Sequence, residues 1–371
     1  MVNEKRLLDE FLELVKVDSE TKYEREIADV LIGKFEALGL KVTEDDSSTR
    51  TGHGAGNLIV TWEGTAEADP IYFTSHMDTV VPGLGVNPEV RNGYVYSDGT
   101  TVLGADDKAG IAAMMEAVRS IQEEEKKHGK VQFVITVGEE SGLAGARELD
   151  VNLVEASYGY ALDSDGSVGE IVTAAPNQSK IYATVHGKKA HAGVAPEKGV
   201  SAITAASKAI ARMPLGRIDG ETTANIGRIE GGSQTNIVCD KVEITAEARS
   251  LVKEKMNEQT KKMKSAFTEA SEEMGASAEV KIQAVYPGFK QSEDDEVVAA
   301  AKRAVGNIGL EPRLKQSGGG SDANIIAGHG IPTVNLAVGY EDIHTTNERM
   351  PVSELIKLSE LVKEIIHEVK K

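Results

Sequence analysis

The sequence predicts an α/β protein in which a three-layer domain on a mostly parallel sheet is interrupted by a smaller, ferredoxin-like α+β domain. Three observations carry this expectation. Helical and strand patterns alternate through the first half of the chain, which implies layers around a largely parallel sheet. Between about residues 177 and 286 the strands alternate apolar with polar residues, and their order is β-α-β-β-α-β. After residue 287 the first pattern returns. The expected domains are therefore 1–176 with 287–371, discontinuous in sequence, and an insert at 177–286.

Composition bounds what this chain does. Its 371 residues are 40% hydrophobic and 27% charged, enough for two domains with their own cores. A net charge of −18 argues against nucleic-acid backbones and anionic membranes, both of which need clustered positive charge. The single cysteine, Cys239, rules out an intramolecular disulfide and fits a reducing compartment, the cytoplasm. Cys239 itself reads as a small buried apolar residue. The start, Met1-Val2-Asn3-Glu4-Lys5, has no apolar leader, and no apolar run is long enough to span a membrane.

In chain order, Leu7, Phe11, Leu14 and Val15 mark a first amphipathic helix, and Ile27, Leu31 and Phe35 a second ending at Gly39. Strands follow at 41–43 and 57–62, joined by a turn in which His53 reads as an exposed loop residue. Ile71-Tyr72-Phe73 is the apolar run of a buried strand that presents His76 and Asp78 just beyond it. Residues two apart in extended backbone point the same way, so His76 and Asp78 can converge at the carboxyl end of a sheet. A Gly/Pro/Asn-rich loop spans 82–92. Gly104-Ala105-Asp106-Asp107 opens a long apolar helix whose charged end, with His128, is solvated. The buried strand at 132–137 ends in Gly138-Glu139-Glu140-Ser141-Gly142, and that at 158–162 leads to Asp163. The insert holds helices at 200–213 and 255–274 among its strands. The last segment carries Ser317-Gly318-Gly319-Gly320-Ser321-Asp322, a strand at 333–336, Ile343-His344-Thr345-Thr346 and a terminal helix.

The polar groups at strand ends are His76, Asp78, Asp106, Asp107, Glu139, Glu140, Asp163 and His344. Singly, each acid has a plain alternative: Asp106 a helix cap, Glu139-Glu140 a solvated loop, Asp163 a turn. Jointly, imidazoles with several carboxylates are the donor set of a zinc site, and a bridging carboxylate can hold two cations about 3.5–4 Å apart. Asp78 is a natural partner to orient the His76 ring. Glu139 and Glu140 face opposite sides if extended, so one can ligate while the other takes a proton from a metal-activated water. That combination points to amide hydrolysis.

Five ordered motifs resemble the di-zinc exopeptidases, a family that includes peptidase T, the glutamate carboxypeptidases and the aminoacylases. They are Ser-His-Met-Asp-Thr at 75–79, Gly-Ala-Asp-Asp-Lys-Ala-Gly at 104–110, Gly-Glu-Glu-Ser-Gly at 138–142, Leu-Asp-Ser-Asp-Gly at 162–166 and Ile-His-Thr-Thr at 343–346. The resemblance implies two Zn²⁺ per chain, with Co²⁺ or Mn²⁺ as substitutes. His76 and Asp163 would bind one, Glu140 and His344 the other, and Asp106 would bridge them. Glu139 would be the base and Asp78 would orient His76. The Asp106–Asp107 peptide would be cis. The insert would be a lid and homodimerisation domain. Its His191, in Lys189-Ala190-His191-Ala192-Gly193, would help stabilise the oxyanion, often from the partner subunit. Asn236, Arg249 and Ser321 would contact substrate.

The metal-site motifs lean to peptidase T, so the expected activity is aminopeptidase action on short peptides. Two departures keep a glutamate-type carboxypeptidase or an N-acyl amino acid amidohydrolase in view. Peptidase T carries Arg-Gly-Gly-Thr-Asp-Gly where this chain has Gly318-Gly319-Gly320-Ser321-Asp322-Ala323, so the Arg that would bind a peptide carboxylate is missing. The segment from His191 to Glu197 also looks more like the glutamate carboxypeptidases. A metal- or peptide-binding protein without turnover is the rival of another class, and Glu139 argues against it, because a binding module has no use for a second acid beside a ligand.

Overall fold

The computed structural model describes residues 1–368, which divide into two compact units. Unit 1 comprises Met1–Ala174, Gln291–Gln316 and the chain from Ser321 onward. Unit 2 comprises Ala175–Lys290 and Ser317–Gly320.

In unit 1 the central strands lie in the order Val131–Thr136, Ile71–His76, Tyr158–Ser164 and Thr333–Ala337, all parallel. Leu58–Trp62 and Lys41–Glu44 extend one side antiparallel. Glu170–Ala175 pairs antiparallel on the other side and takes Arg313–Gln316 as a parallel neighbour. Every residue of Ile71–His76 and of Val131–Thr136 is buried, as expected of strands covered on both faces. The pleat sorts their side chains between two cores. Phe73, Phe133 and Ile135 face a large cluster with Leu7, Phe11, Phe35, Ile111 and Leu355 from helices. Tyr72 and Val134 face the opposite cluster with Ile59 and Ile326. Helix, sheet and helix layers follow, as the alternating pattern predicts. All four parallel strands end at one edge, so His76, the Glu139–Glu140 turn and Asp163 are delivered together.

Unit 2 is a fully antiparallel sheet in the order Gly216–Arg217, Thr222–Gly231, Lys241–Ser250, Asn177–His186 and Ser277–Tyr286. Ile181, Ala183 and Val185, with Val242, Ile244, Ala246 and Ala248, form its buried face. Ala202–Arg212 and Lys253–Glu273 cover that face through Ala205, Ala206, Ala209, Met263 and Phe267. Only the short Gly216–Arg217 strand is added to the ferredoxin-like order.

Two strands escape the sequence reading and two histidine expectations fail, each for an identifiable reason. The strand Glu170–Ala175 opens on a charge and closes on small residues, so its pattern was silent. Arg313–Gln316 is largely exposed and therefore polar. His128 is buried and stacks on Trp62 with centroids 3.6 Å apart, a contact its charged neighbours in sequence hide. His53 is also buried rather than exposed.

Candidate metal centre

Asp106 is the hinge of the site. Its Oδ1 lies 3.0 Å from His76 Nε2, and its Oδ2 lies 3.3 Å from His344 Nε2. The two oxygens of one carboxylate thus face two different imidazoles. Asp163 Oδ1 lies 4.0 Å from His76 Nε2, and Glu140 Oε1 lies 2.8 Å from His344 Nε2. Ligands about 2.0–2.2 Å from one tetrahedral zinc sit roughly 3.3 Å from each other, so these separations match the donor set of two adjacent cations.

Local structure explains each placement. His76 closes its strand and is buried. Its Nδ1 faces Asp78, 3.0 Å from the backbone oxygen and 3.5 Å from Oδ1, which leaves Nε2 toward Asp106. Asp78 does more than orient the ring. Its Oδ1 accepts the Glu139 N–H at 3.1 Å and its Oδ2 the Glu140 N–H at 3.3 Å, tying the turn to the His76 strand. Beside that turn lies His53, whose Nε2 is 2.9 Å from Ser141 Oγ. Gly138 has φ +59°, and a Cβ there would meet the His53 ring at 2.2 Å, so both the backbone and the packing demand glycine. Asp163 is held by Asn335, which accepts its N–H at 3.0 Å and donates to its carbonyl at 2.7 Å, and Tyr340 donates to its Oδ1 at 3.3 Å. His344 is half-exposed on a loop and adopts φ +61°, a conformation costly for a non-glycine residue and characteristic of functional loops. The Asp106–Asp107 peptide is cis.

The charge balance is that of a site built for cations. Burial raises the Asp163 carboxyl well above the usual range, and the neighbouring Asp106 charge adds to it. Glu139 is raised well above its ordinary value by burial and by the Asp163 charge. Burial works against charge on Asp106, but hydrogen bonds with His344 and His76 outweigh it and hold that carboxyl low. Those same carboxylates draw protons onto the rings. Asp106 and then Glu140 push His344 up to about 10. His76 rises against its burial penalty through Asp106 and Asp78.

The resemblance gives Asp107, one of the strand-end acids, no ligand role. It is fully buried, and neither carboxylate oxygen has a well-formed hydrogen bond among the described residues. A buried carboxylate without a partner is costly unless a cation meets it. Ligand atoms of His76, Asp107 and Asp163 lie within 4.8 Å of one another, as do those of His76, Asp106 and Glu140. The residues present therefore fit two divalent metal ions. Nothing in the sequence separated Asp107 from its neighbour. Lys108 was also missed; it is fully buried, and burial lowers its pKa to about 8 against the pull of Glu348 and Asp78.

Of the expected substrate residues, Ser321 belongs to unit 1 and His191, Asn236 and Arg249 to unit 2. Ser321 is buried; its N–H donates to Asn324 Oδ1 at 3.1 Å and its Oγ accepts from Asn335 at 3.1 Å. In unit 2, His191 and Asn236 are neighbours: His191 bridges to Ile237, and the Ala192 N–H donates to the Asn236 carbonyl at 2.8 Å. His191 Nδ1 accepts the Gly193 N–H at 3.2 Å, so the proton of the neutral ring sits on Nε2. Arg249 pairs with Glu247 at 3.0 Å and donates to the Gly318 carbonyl at 3.0 Å. A guanidinium thus reaches the glycine loop that lacks its own arginine.

Comparison with known proteins agrees with this geometry. The family model described as peptidase family M20/M25/M40 matches residues 72–368. The chain is 66% identical over its whole length to the uncharacterized protein YqjE of Bacillus subtilis, also covered completely. Its structure is similar to that of aminopeptidase PepT from Bacillus cereus, with TM-score 0.98, 65% identity and full coverage of both chains. It is also similar to a tripeptidase from Staphylococcus aureus, with TM-score 0.97, 53% identity and coverage of 99% and 98%. A matched family model over most of the chain, placed on a paired imidazole–carboxylate site, identifies the chain as a member of the M20/M25/M40 peptidase family and as a metal-dependent hydrolase of peptide bonds.

Proposed function

We propose that the protein is a di-zinc aminopeptidase of short peptides, with tripeptides as preferred substrates. The observation that carries the metal chemistry is Asp106, whose two oxygens address His76 and His344 separately. The similarity to an aminopeptidase and a tripeptidase, each covering nearly the whole chain, supports the substrate class. His76, Asp163 and Asp107 would hold one ion, and Glu140 with His344 the other, Asp106 bridging. Bound there, two divalent ions supply Lewis acidity, lowering the pKa of water toward neutrality and polarising the scissile carbonyl.

The chain's own groups do the rest. Glu139 removes a proton from the water whose oxygen attacks the carbonyl carbon, then delivers it to the amine nitrogen as the C–N bond breaks. A positioned carboxylate of this kind can hold the proton between the two steps. Asp78 fixes both His76 and the backbone of Glu139. His191 offers Nε2–H to the developing oxyanion, with Asn236 beside it, and Arg249 receives the substrate carboxylate at the Gly318 loop. Ser321 supports that loop's end through Asn335. The reducing environment implied by a lone cysteine supports a cytoplasmic site of action.

Paired substrates test this reading. Zinc-loaded protein is expected to cleave free-amine tripeptides and to leave the same peptides untouched when the amino end is blocked. Cleavage of only the blocked set, or of acylated glutamates, would make it a carboxypeptidase or an amidohydrolase instead.

We also propose that the active unit is a homodimer. His191 lies beyond one end of the strand Lys241–Ser250 and Arg249 at the other. Eight residues of strand separate Lys241 from Arg249, about 26 Å, whereas an extended tripeptide spans about 10 Å. One small substrate therefore cannot meet both from the same subunit, and a second copy supplies the histidine. Chains carrying His191→Ala and Arg249→Ala are each expected to be nearly inactive. Co-assembled, they should regain about a quarter of wild-type activity, because half of the random dimers hold one intact site. No recovery, or a fully active monomer in sedimentation, would contradict the shared site.

A further inference from the structure

Glu348 lies four residues beyond His344 and is only 2% exposed. Its carboxylate turns onto the segment that delivers Asp106. Oε2 accepts the N–H groups of Leu103 at 2.7 Å and Gly104 at 2.8 Å, and Oε1 accepts that of Asp106 at 3.0 Å. The helix that follows begins irregularly: Gly104 caps it without a side chain, and Asp106 and Asp107 depart from helical torsions. Glu348 therefore does the work of a cap for donors that would otherwise be buried without partners.

The other end of Glu348 belongs to the His344 loop. Its own N–H donates to the Thr345 carbonyl at 3.1 Å, and Glu341 and Arg349 close the loop with paired backbone bonds of 2.9 and 3.0 Å. One buried carboxylate thus ties two ligand-bearing segments together without touching the ligand atoms themselves. Those ligands, Asp106 Oδ2 and His344 Nε2, stand 3.3 Å apart although one is buried and the other sits half-exposed on a loop.

We propose that Glu348 is a positioning residue of the metal centre: it sets the spacing between Asp106 and His344, and with it the affinity of the ion on the His344–Glu140 side. This rests on the two-metal reading above. Charge-assisted bonds to three N–H groups need a carboxylate, since a carboxamide must turn its own N–H₂ against one of the donors. Loss of such a support weakens metal binding by about 10–100-fold in metal sites generally.

The test is a competition titration of metal-free protein with Zn²⁺ against a chromophoric chelator, for wild type, Glu348→Gln and Glu348→Asp, with thermal unfolding of the metal-free forms in parallel. For Glu348→Gln the second equivalent of Zn²⁺ is expected to bind about 10–100-fold more weakly, with kcat falling and KM little changed. Glu348→Asp keeps the charge at shorter reach and should fall between Gln and wild type. Wild-type affinity for both equivalents in a folded Glu348→Gln, even with a lower melting temperature, would reduce Glu348 to a structural cap and overturn the proposal. If Glu348→Gln does not fold, wild-type affinity in Glu348→Asp overturns it equally. Failure of wild type itself to bind two equivalents is a separate outcome, and it would refute the two-metal reading on which the role depends.

Discussion

Glu139→Gln is expected to lower kcat by about 10²–10⁴-fold, the usual contribution of a positioned base, while the chain still binds two metal ions. The substitution preserves shape and removes only the ability to hold a proton. Glu139 follows the strand that ends at Thr136, and its backbone N–H is fixed by Asp78 at 3.1 Å, so the side chain is presented from a rigid turn. Burial and the nearby Asp163 charge both raise the affinity of Glu139 for a proton in the metal-free chain. Elemental analysis beside steady-state kinetics checks this. Near-normal turnover would remove Glu139 from the proton path. Loss of metal together with activity would make it a ligand.

Asp106→Asn should produce a comparable or larger fall in turnover with the opposite metal result. Asparagine keeps the volume and one oxygen but cannot present two anionic oxygens to two ions. The expected content is about one metal per chain or less, and kcat should fall at least about 10³-fold as the stabilisation supplied by the second ion disappears. Asp106 is buried beside Asp107 and Asp163, so the variant also changes which carboxylates crowd one another without a cation. Thermal unfolding with and without added Zn²⁺ separates this from simple misfolding: wild type should gain stability on adding metal, as any ligand of the folded state provides, and Asp106→Asn should gain less. Two tightly held ions in a variant with near-wild-type turnover would sink the bridging role.

The parts of this molecule that obey strong local rules were legible in the sequence. The strand Ile71–His76 and the helix Glu4–Val15 repeat their apolar residues with periods that only one secondary structure satisfies. The strand-end placement of His76, Glu140 and Asp163 followed from those strands, because parallel sheets deliver their loops to one edge, whereas Asp106 opens a helix and His344 sits on a loop beyond the strand that ends at Ala337. What was illegible depends on contacts distant in sequence. His53 looks like a loop residue until Gly138, far along the chain, is seen packed against its ring. Glu348 looks like a surface acid until its carboxylate is found on the N–H groups of Leu103, Gly104 and Asp106. Asp107 and Asp106 are adjacent and identical, and only the irregular backbone between them decides which atoms each presents. The sequence offers Arg249 as a candidate substrate contact but gives no sign of its bond to Gly318, which lies 69 residues away.

The central claim is that one carboxylate, Asp106, joins two metal ions. The most direct measurement is a crystal structure of the zinc-loaded protein with anomalous diffraction collected on either side of the zinc absorption edge. Two peaks about 3.5–4 Å apart are expected, one on each side of the Asp106 carboxylate, the first within reach of His76 and Asp163 and the second of Glu140 and His344. A single peak at full zinc occupancy, or two peaks that leave Asp106 uncoordinated, would contradict the account.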